Sequence, residues 1–399
     1  MTGDRPRFLP EASLRSRTSL KWSRALPGEI PADIAELDVE IAPVVHHALS
    51  AHLAGHDFGY PDYTGGTPRR LAELFAERAE RKHGWRADPG RVDTCAQIVQ
   101  ALCCALLAFT RPGDAVVTHA PTYPPFLKAI RQLDRRCVTI PVRDLQSLAD
   151  LHDAGRARMV VLCQPHNPTG HVFGRRTLEV LGEFAESHDA VVFSDEIHQD
   201  LVHAPHRHLS AAAIPVLADR TIVFTSAAKT FNIAGLRCAV GHFGAKTLYE
   251  RYTRLPWHLR SGAGLLGIAA TIAAWDKGDA WADELRARLS RNRATVDAAV
   301  RAMPAVRWTP PPATYLAWLD LRRTCLSRRP ADSLRDLAAL RLQRGRDFGD
   351  DFTGFVRLNF GTSEETLSLI LRRMTAAITA GEQPAARDGG AHPGLPRKR

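Results

Sequence analysis

One stretch of the chain decides the fold: Ile222-Val223-Phe224-Thr225-Ser226-Ala227-Ala228-Lys229. Its first four residues are apolar or β-branched, which predicts a short β-strand buried on both faces. The lysine then follows the end of this strand among small and apolar residues. Burial lowers the pKa of a lysine, and a lysine that must form a Schiff base near neutral pH needs that shift. The stretch therefore predicts a buried strand that leads into a reactive lysine.

A lysine after an apolar run is more often a solvated residue at the end of a strand. Other lysines are less suitable for a Schiff base, because Lys82 closes an amphipathic helix and Lys398 lies in the C-terminal tail. Ser226 stands three positions before the lysine and Arg237 eight positions after it, and both suit a phosphate group. Lys229 is therefore the candidate for a Schiff base with pyridoxal phosphate.

Around this stretch, short apolar runs alternate with helical patterns from residue 115 to residue 244. That alternation is typical of an α/β fold with a mainly parallel sheet. The other predicted strands are Ala115-Val116-Val117-Thr118, Cys137-Val138-Thr139-Ile140, Met159-Val160-Val161-Leu162-Cys163, Val191-Val192-Phe193-Ser194 and Cys238-Ala239-Val240-Gly241. Helices are predicted over 97–109 and 177–187.

The pattern becomes sparser downstream, which predicts a smaller second lobe of α+β type built from both chain ends. We expect helices over 280–302 and 331–342, with strand character over 308–321. The predicted division is an N-terminal arm with part of the small domain (1–45), a large cofactor-binding domain (46–279), a C-terminal small domain (280–381) and a disordered basic tail (382–399).

Composition excludes several classes of protein. The net charge of +10 is spread along helices, so a nucleic-acid partner is not expected. The longest weakly polar stretch, 262–275, is too short to span a bilayer, and no secretory signal pattern follows Met1. The seven cysteines show no zinc or redox spacing, which indicates reduced thiols in the cytoplasm. A proline interrupts the histidine-rich run 203–208, so no metal site is expected.

Polar residues that suit this cofactor follow four of the predicted strands. In an open parallel sheet the ligand lies at the carboxyl ends of the strands, so these residues are expected to converge. Tyr123 would lie on the pyridine ring, Asn167 would meet the phenolic oxygen, and Asp195 would pair with the ring nitrogen. Lys229 follows the predicted strand Ile222-Val223-Phe224-Thr225. Each motif alone is more often a turn or a helix cap.

At these residues the chain resembles the fold-type I pyridoxal phosphate enzymes, the aspartate aminotransferase superfamily. Within it the chain looks most like the cysteine-S-conjugate β-lyase group of the MalY/PatB kind. The resemblance rests on Pro165-His166-Asn167-Pro168-Thr169-Gly170, Ser194-Asp195-Glu196-Ile197-His198-Gln199-Asp200, Lys229-Thr230-Phe231-Asn232-Ile233-Ala234-Gly235-Leu236, Thr314-Tyr315-Leu316-Ala317-Trp318-Leu319-Asp320 and Val356-Arg357-Leu358-Asn359-Phe360-Gly361.

The resemblance implies further roles. The backbone N–H groups of Ile98 and Val99 would meet the phosphate at a helix N-terminus. Tyr60 matches a tyrosine that the family lends to the phosphate of the partner subunit, which implies a homodimer. Arg357 matches the arginine that grips the substrate α-carboxylate, and the alternative for Arg357 is a surface salt bridge.

Some positions depart from the family pattern, and two of these departures concern candidate site residues. The segment Ala35-Glu36-Leu37-Asp38-Val39 stands where the lyase group usually shows Ala-Asp-Met-Asp-Phe, in a loop that lines the substrate pocket. Glu36 and Leu37 are therefore candidate substrate-binding residues. His198 stands where aminotransferases more often place a tyrosine, and it either tunes the cofactor or merely packs.

The reaction that the resemblance implies is β-elimination from an S-substituted L-cysteine, which gives a thiol, pyruvate and ammonia. The alternatives are transamination with a 2-oxo acid, or a decarboxylating or oxidative deaminating variant on an S-cysteinyl substrate. A regulatory protein that keeps the fold without turnover is the remaining alternative. Fold alone does not choose among them.

Overall fold

A computed structural model of the chain describes residues 5–63, 67–142 and 157–382. The helices are α1 Glu11–Arg15, α2 Leu20–Ser23, α3 Pro43–Ala54, α4 Arg69–His83, α5 Ile98–Phe109, α6 Pro124–Gln132, α7 Arg175–Ser187, α8 Pro215–Ala218, α9 Lys246–Thr253, α10 Trp257–Arg260, α11 Leu265–Lys277, α12 Asp279–Arg301, α13 Pro330–Ala338 and α14 Glu364–Glu382. The strands are β1 Ile30–Pro31, β2 Val92–Cys95, β3 Ala115–Ala120, β4 Arg136–Pro141, β5 Ala157–Cys163, β6 Val191–Asp195, β7 Thr221–Thr225, β8 Ala239–Phe243, β9 Leu316–Asp320, β10 Leu340–Arg341, β11 Gln343–Arg344 and β12 Phe355–Asn359.

A seven-stranded sheet in the order β2-β8-β7-β6-β5-β3-β4 forms the centre of the molecule. The five strands from β7 to β4 in this order run parallel, and β8 is antiparallel to both of its neighbours. Nearly every residue of β5, β6, β7 and β8 is buried, because helices cover both faces of the sheet. The predicted α/β fold with a mainly parallel sheet is confirmed.

The carboxyl ends of β3, β5, β6 and β7 therefore lie along one edge of this sheet. Cys163 at the end of β5 is paired in register with Asp195 at the end of β6, and Asp195 with Phe224 in β7. The loops that follow these strands must meet above this edge. The sheet thus gathers residues that are far apart in sequence.

Two small sheets join the chain ends. β1 pairs in parallel with β10, with Ile30 opposite Leu340. β11, β12 and β9 form an antiparallel sheet in which Arg357 is opposite Trp318. The N-terminal segment thus packs with the C-terminal third of the chain, although the domain boundaries given above remain a prediction. The predicted tail beyond Glu382 lies outside the described residues.

Some elements differ from the prediction. The predicted helix over 331–342 ends at Ala338, because Ala339 takes the left-handed conformation with φ 50° and Leu340 then pairs with β1. Of the stretch 308–321, only Leu316–Asp320 forms a strand. β2 was not predicted from the sequence. Within the described residues, every helix is too short or too polar to cross a bilayer.

Candidate active site

A cavity of about 440 Å³ opens above the carboxyl ends of the central strands. Most of the predicted site residues line it: Ile98, Val99, Tyr123, Asn167, Asp195, His198, Ser226, Lys229, Arg237 and Arg357. They come from six separate segments of the chain. A wider cleft of about 890 Å³, between Pro121 and Trp318, contains none of them.

Lys229 lies in the turn that follows β7, and its side chain reaches the N-terminal loop. Its Nζ donates a hydrogen bond to the carbonyl oxygen of Ala35 at 2.9 Å. Burial, together with the positive charge of Arg357, lowers the pKa of Lys229 to about 8, and Glu36 and Asp195 oppose this shift. An amine with that pKa is partly neutral at physiological pH, as a nucleophile or a general base requires.

Asp195 closes β6 and is buried. Its Oδ1 accepts a hydrogen bond from the backbone N–H of Ile197 at 3.0 Å, which fixes the carboxylate above the strand end. Burial raises the pKa of Asp195 to about 7, against the opposing effects of the Ile197 N–H and the charge of Lys229. Among the described residues Asp195 forms no salt bridge, and a buried carboxylate of this kind is suited to receive a cationic group of a ligand.

Arg357, on β12, is only 3% exposed, and within the described chain it makes no salt bridge. Its Nη1 donates to Oδ1 of Asn167 at 2.9 Å, and its Nη2 donates to the carbonyl oxygen of Asp33 at 2.6 Å. The Nε atom is buried without a partner among the described residues. Burial lowers the pKa of Arg357 to about 10. The surface salt bridge considered above is not observed, and the buried guanidinium suits an anionic ligand.

The loop that carries Asn167 contains a closely packed glycine, Gly170. Gly170 has a φ of +66°, and a Cβ on it would lie 2.4 Å from Cβ of Pro311 and 2.5 Å from the carbonyl oxygen of Ala313. Only glycine can occupy position 170, since both its backbone conformation and its close contact with Pro311 and Ala313 exclude a side chain. The loop that carries Asn167 is thereby packed against the segment before β9.

The phosphate end of the predicted site is formed at the start of α5. Gln97 precedes the helix in an extended conformation without a side-chain cap, so the first N–H groups of the helix are available to an anion. Ser226 accepts a hydrogen bond from the N–H of Ala228 at 3.1 Å. Arg237 is exposed, and it follows a 3₁₀ turn with a φ of 52°.

Tyr123 and His198 lie at the same cavity. Tyr123 precedes α6, and burial raises the pKa of its hydroxyl. His198 is 1% exposed, and its Nδ1 has no partner among the described residues. Burial, assisted by the charges of Lys229 and Arg357, lowers the pKa of His198 to about 3. A neutral ring fits either role considered for His198, tuning the cofactor or packing.

Three predicted residues are not among those that line the cavity. Leu37 is 1% exposed and belongs to the hydrophobic core, because its backbone is turned by hydrogen bonds to Asn232. The charge of Glu36 raises the pKa of Lys229, which opposes the effect of burial. Ile34 and Ala35 line the cavity in their place. The side chain of Tyr60 is fully exposed to solvent in the isolated chain.

Sequence reasoning did not identify some residues of the site. The carbonyl oxygen of Ala35 also accepts a hydrogen bond from the hydroxyl of Tyr315 at 3.0 Å, and Gln343 of β11 lines the cavity. A backbone carbonyl leaves no residue-type signal in a sequence, so Ala35 was not identifiable. Tyr315 lies inside a motif quoted above, and its polar tip in an apolar run was the available signal.

The residues present fit pyridoxal phosphate. The cavity offers an amine at Lys229, a carboxylate at Asp195 and an amide at Asn167, and a helix N-terminus with Ser226 and Arg237 at one side. These are the donors and acceptors that an aldehyde, a pyridine nitrogen, a phenolic oxygen and a phosphate require. The buried guanidinium of Arg357 remains for a carboxylate.

Comparison with known proteins agrees with this chemistry. The family model of aminotransferase class I and II matches residues 34–374, so the chain belongs to that family. The chain is 31% identical to a cystathionine beta-lyase of Corynebacterium glutamicum over 374 residues, covering 93% of this chain and 100% of that protein. It is also 31% identical to the cystathionine beta-lyase PatB of Bacillus subtilis, over 90% of this chain and 97% of that protein.

A solved structure is similar over nearly the whole chain. It is a putative pyridoxal phosphate-dependent beta-cystathionase of Corynebacterium diphtheriae, 32% identical, with a TM-score of 0.88 over 94% of this chain and 99% of that chain. The predicted resemblance to the fold-type I enzymes of the MalY/PatB group is thereby confirmed.

Proposed function

We propose that this protein is a pyridoxal phosphate-dependent carbon–sulfur β-lyase that acts on S-substituted L-cysteine. The observation that carries the proposal is the placement of Lys229 and Arg357 in one cavity, with Asp195 at its base. The names of the related proteins support the reaction type, while the S-conjugate substrate is our inference. Water and the amino acid would be converted to a thiol, pyruvate and ammonia.

The substrate would be bound through its carboxylate. Arg357 is buried and makes hydrogen bonds only to neutral oxygens within the described chain, so an incoming carboxylate would be its ionic partner. A planar guanidinium can make two parallel bonds to a carboxylate and thereby fix its orientation. Arg357 would thus set which bond at Cα is presented for reaction.

Proton transfer would be carried out by Lys229. When bound, pyridoxal phosphate supplies an electron sink that stabilises negative charge at Cα of an amino acid. With its pKa near 8, the Lys229 amine takes the Cα proton as a general base and holds it at Nζ. Asp195 supplies negative charge at the base of the cavity, where a cationic ring nitrogen would be held.

Two further proposals concern the setting of the enzyme. We infer a homodimer, since Tyr60 is implied to serve the partner's phosphate site and is fully exposed here. We infer a reducing compartment such as the cytoplasm, since all seven cysteines are free thiols.

The proposal is tested by product analysis of the purified protein loaded with pyridoxal phosphate. S-methyl-L-cysteine and S-benzyl-L-cysteine are supplied, and thiol and pyruvate are measured with and without 2-oxoglutarate. We expect equal amounts of thiol and pyruvate, independent of the 2-oxo acid. Glutamate formation that requires 2-oxoglutarate would replace the proposal by transamination, and release of carbon dioxide would replace it by decarboxylation.

A further inference from the structure

Side chains from other segments of the chain hold the N-terminal loop 33–37 by hydrogen bonds to its backbone. Each of its carbonyl oxygens accepts a hydrogen bond from another segment of the chain. The donors are Arg357 to Asp33 (2.6 Å), Asn359 to Ile34 (2.7 Å) and Glu36 (2.6 Å), Lys21 to Glu36 (3.4 Å), Tyr315 and Lys229 to Ala35 (3.0 and 2.9 Å), and Asn232 to Leu37 (2.8 Å). These hydrogen bonds, together with the buried side chain of Leu37, therefore hold the loop in place.

Asn232 makes a reciprocal pair of hydrogen bonds with one residue of this loop, Leu37. Its Nδ2 donates to the carbonyl oxygen of Leu37 at 2.8 Å, and its Oδ1 accepts from the N–H of the same residue at 2.9 Å. Its own backbone is left-handed, with a φ of 57°, a conformation that asparagine tolerates better than most residues. Asn232 lies in the same turn as Lys229, so it ties the lysine segment directly to the loop.

The loop presents two residues to the cavity, Ile34 and Ala35. They form part of the wall near Lys229, because the carbonyl oxygen of Ala35 contacts its Nζ. A displacement of the loop would therefore change both the shape of this wall and the orientation of the amine. Small changes of this kind alter rates strongly, because reacting groups must be held closely.

We propose that Asn232 is a positioning residue that sets the substrate specificity of this site, by fixing the Ile34–Ala35 wall relative to Lys229. This inference rests on the proposed function for its substrates, amino acids with an extended group on Cβ. The group on Cβ would meet the wall, and its permitted size would depend on where Asn232 holds the loop.

The first test is structural and does not require turnover. The variant Asn232→Gly removes both hydrogen bonds to Leu37 and a longer one, 3.5 Å, to the carbonyl oxygen of Val39. It keeps the left-handed backbone, whereas alanine would add strain at the positive φ. Hydrogen exchange of the Leu37 amide is measured in the full-length protein loaded with the cofactor. We expect exchange to be about fivefold faster in the variant, since the loss of one hydrogen bond corresponds to about that factor.

The second test measures specificity. The values of kcat/KM for S-methyl-L-cysteine and S-benzyl-L-cysteine are compared between the wild-type protein and Asn232→Gly. A loosened wall discriminates less by size, so the ratio of the two values should move toward one, by about fivefold if one hydrogen bond is decisive. Asn232→Asp keeps the acceptor for the Leu37 N–H and loses the donor, so its ratio should fall between the two.

The matched control is Asn292→Ala. Asn292 lies on α12 outside the cavity and also holds backbone, donating to the carbonyl oxygens of Phe360 at 2.9 Å and Thr362 at 2.8 Å. It should lower stability and leave the ratio of the two substrates unchanged. Unaltered exchange at Leu37 in Asn232→Gly, or equal changes of the ratio in both variants, would overturn the inference. If the protein transforms amino acids by another route, the ratio is measured on that reaction, so failure of the lyase proposal is a separate result.

Discussion

The two ends of the cavity are built in different ways. The end proposed for the cofactor, called the cofactor end below, takes side chains from the carboxyl ends of parallel strands and the loops after them, such as Asp195 at the end of β6 and Lys229 after β7. The end proposed for the substrate, called the substrate end below, takes Arg357 from the small antiparallel sheet and the wall from the N-terminal loop 33–37. One end is positioned by strand register, and the other by side-chain hydrogen bonds to backbone carbonyls.

This difference indicates which end is free to change. Register places the cofactor residues rigidly, because a shift of one residue would turn every side chain to the other face. The loop at the substrate end is held by individual hydrogen bonds, each of which contributes about 1 kcal/mol. Substitutions at the cofactor end should therefore abolish chemistry, whereas substitutions at the substrate end should alter preference.

The largest effect is expected for Lys229→Ala at the cofactor end. The variant loses both the covalent anchor and the base, so kcat/KM should fall by at least about 10³-fold. Pyruvate release from S-methyl-L-cysteine provides the measurement. Lys246→Ala is the control, because Lys246 is exposed and pairs only with Glu250 in the described structure. Activity of Lys229→Ala within tenfold of wild type would contradict the account.

Asp195→Asn should separate activity from stability. Asparagine can still accept from the Ile197 N–H, but it removes the charge, and kcat should fall by about 10² to 10³-fold. The pKa of Asp195 is about 7 in the folded protein, which is above its value in the unfolded chain. The buried charge of Asp195 therefore lowers the free energy of unfolding as the pH rises from 4 to 7.

The cofactor-free variant should therefore unfold at higher denaturant concentration than wild type at pH 8, and at an equal concentration near pH 4. Denaturant titration at the two pH values measures this difference. If the variant is less stable than wild type at pH 8, groups other than the Ile197 N–H and Lys229 must stabilise the buried charge of Asp195.

Arg357→Lys tests the substrate end. Lysine keeps the charge but cannot form the two parallel bonds of a guanidinium, so KM should rise by about 100-fold with a smaller change in kcat. Steady-state kinetics on both S-substituted cysteines provide the measurement. Arg322→Lys is the control, since Arg322 is exposed and pairs with Asp320 away from the cavity. An unchanged KM would show that the carboxylate binds elsewhere.

Much of the cofactor end could be predicted from the sequence, because strand ends in a parallel sheet converge wherever the strands are recognised. Lys229, Asp195 and Asn167 line one cavity for that reason. The substrate end could not be predicted in the same detail. The direction of Leu37 is set by Asn232, 195 residues away in sequence, and no local pattern encodes that contact.

The predicted helix over 331–342 was wrong for a related reason. A helical apolar pattern continues past its true end, and the left-handed conformation at Ala339 lets Leu340 pair with Ile30 at the other end of the chain. Local propensity favoured a longer helix, and the tertiary contact overrode it.

The smallest effect is expected for Tyr60→Phe. The residue is exposed on one subunit, and its predicted role is a single hydrogen bond to the partner's phosphate. Loss of that bond should weaken cofactor affinity about fivefold, with little change in kcat at saturation. Fluorescence titration of the cofactor-free protein, together with sedimentation to establish the dimer, measures this. Unchanged affinity in a proven dimer would remove Tyr60 from the site.

The most direct test of the account is to locate the covalent attachment of the cofactor. The protein loaded with pyridoxal phosphate is reduced with borohydride, digested and analysed by mass spectrometry. We predict that the reduced cofactor is found on the peptide that contains Lys229 and on no other lysine. Attachment to a different lysine, or a protein that carries no reduced cofactor, would contradict the account.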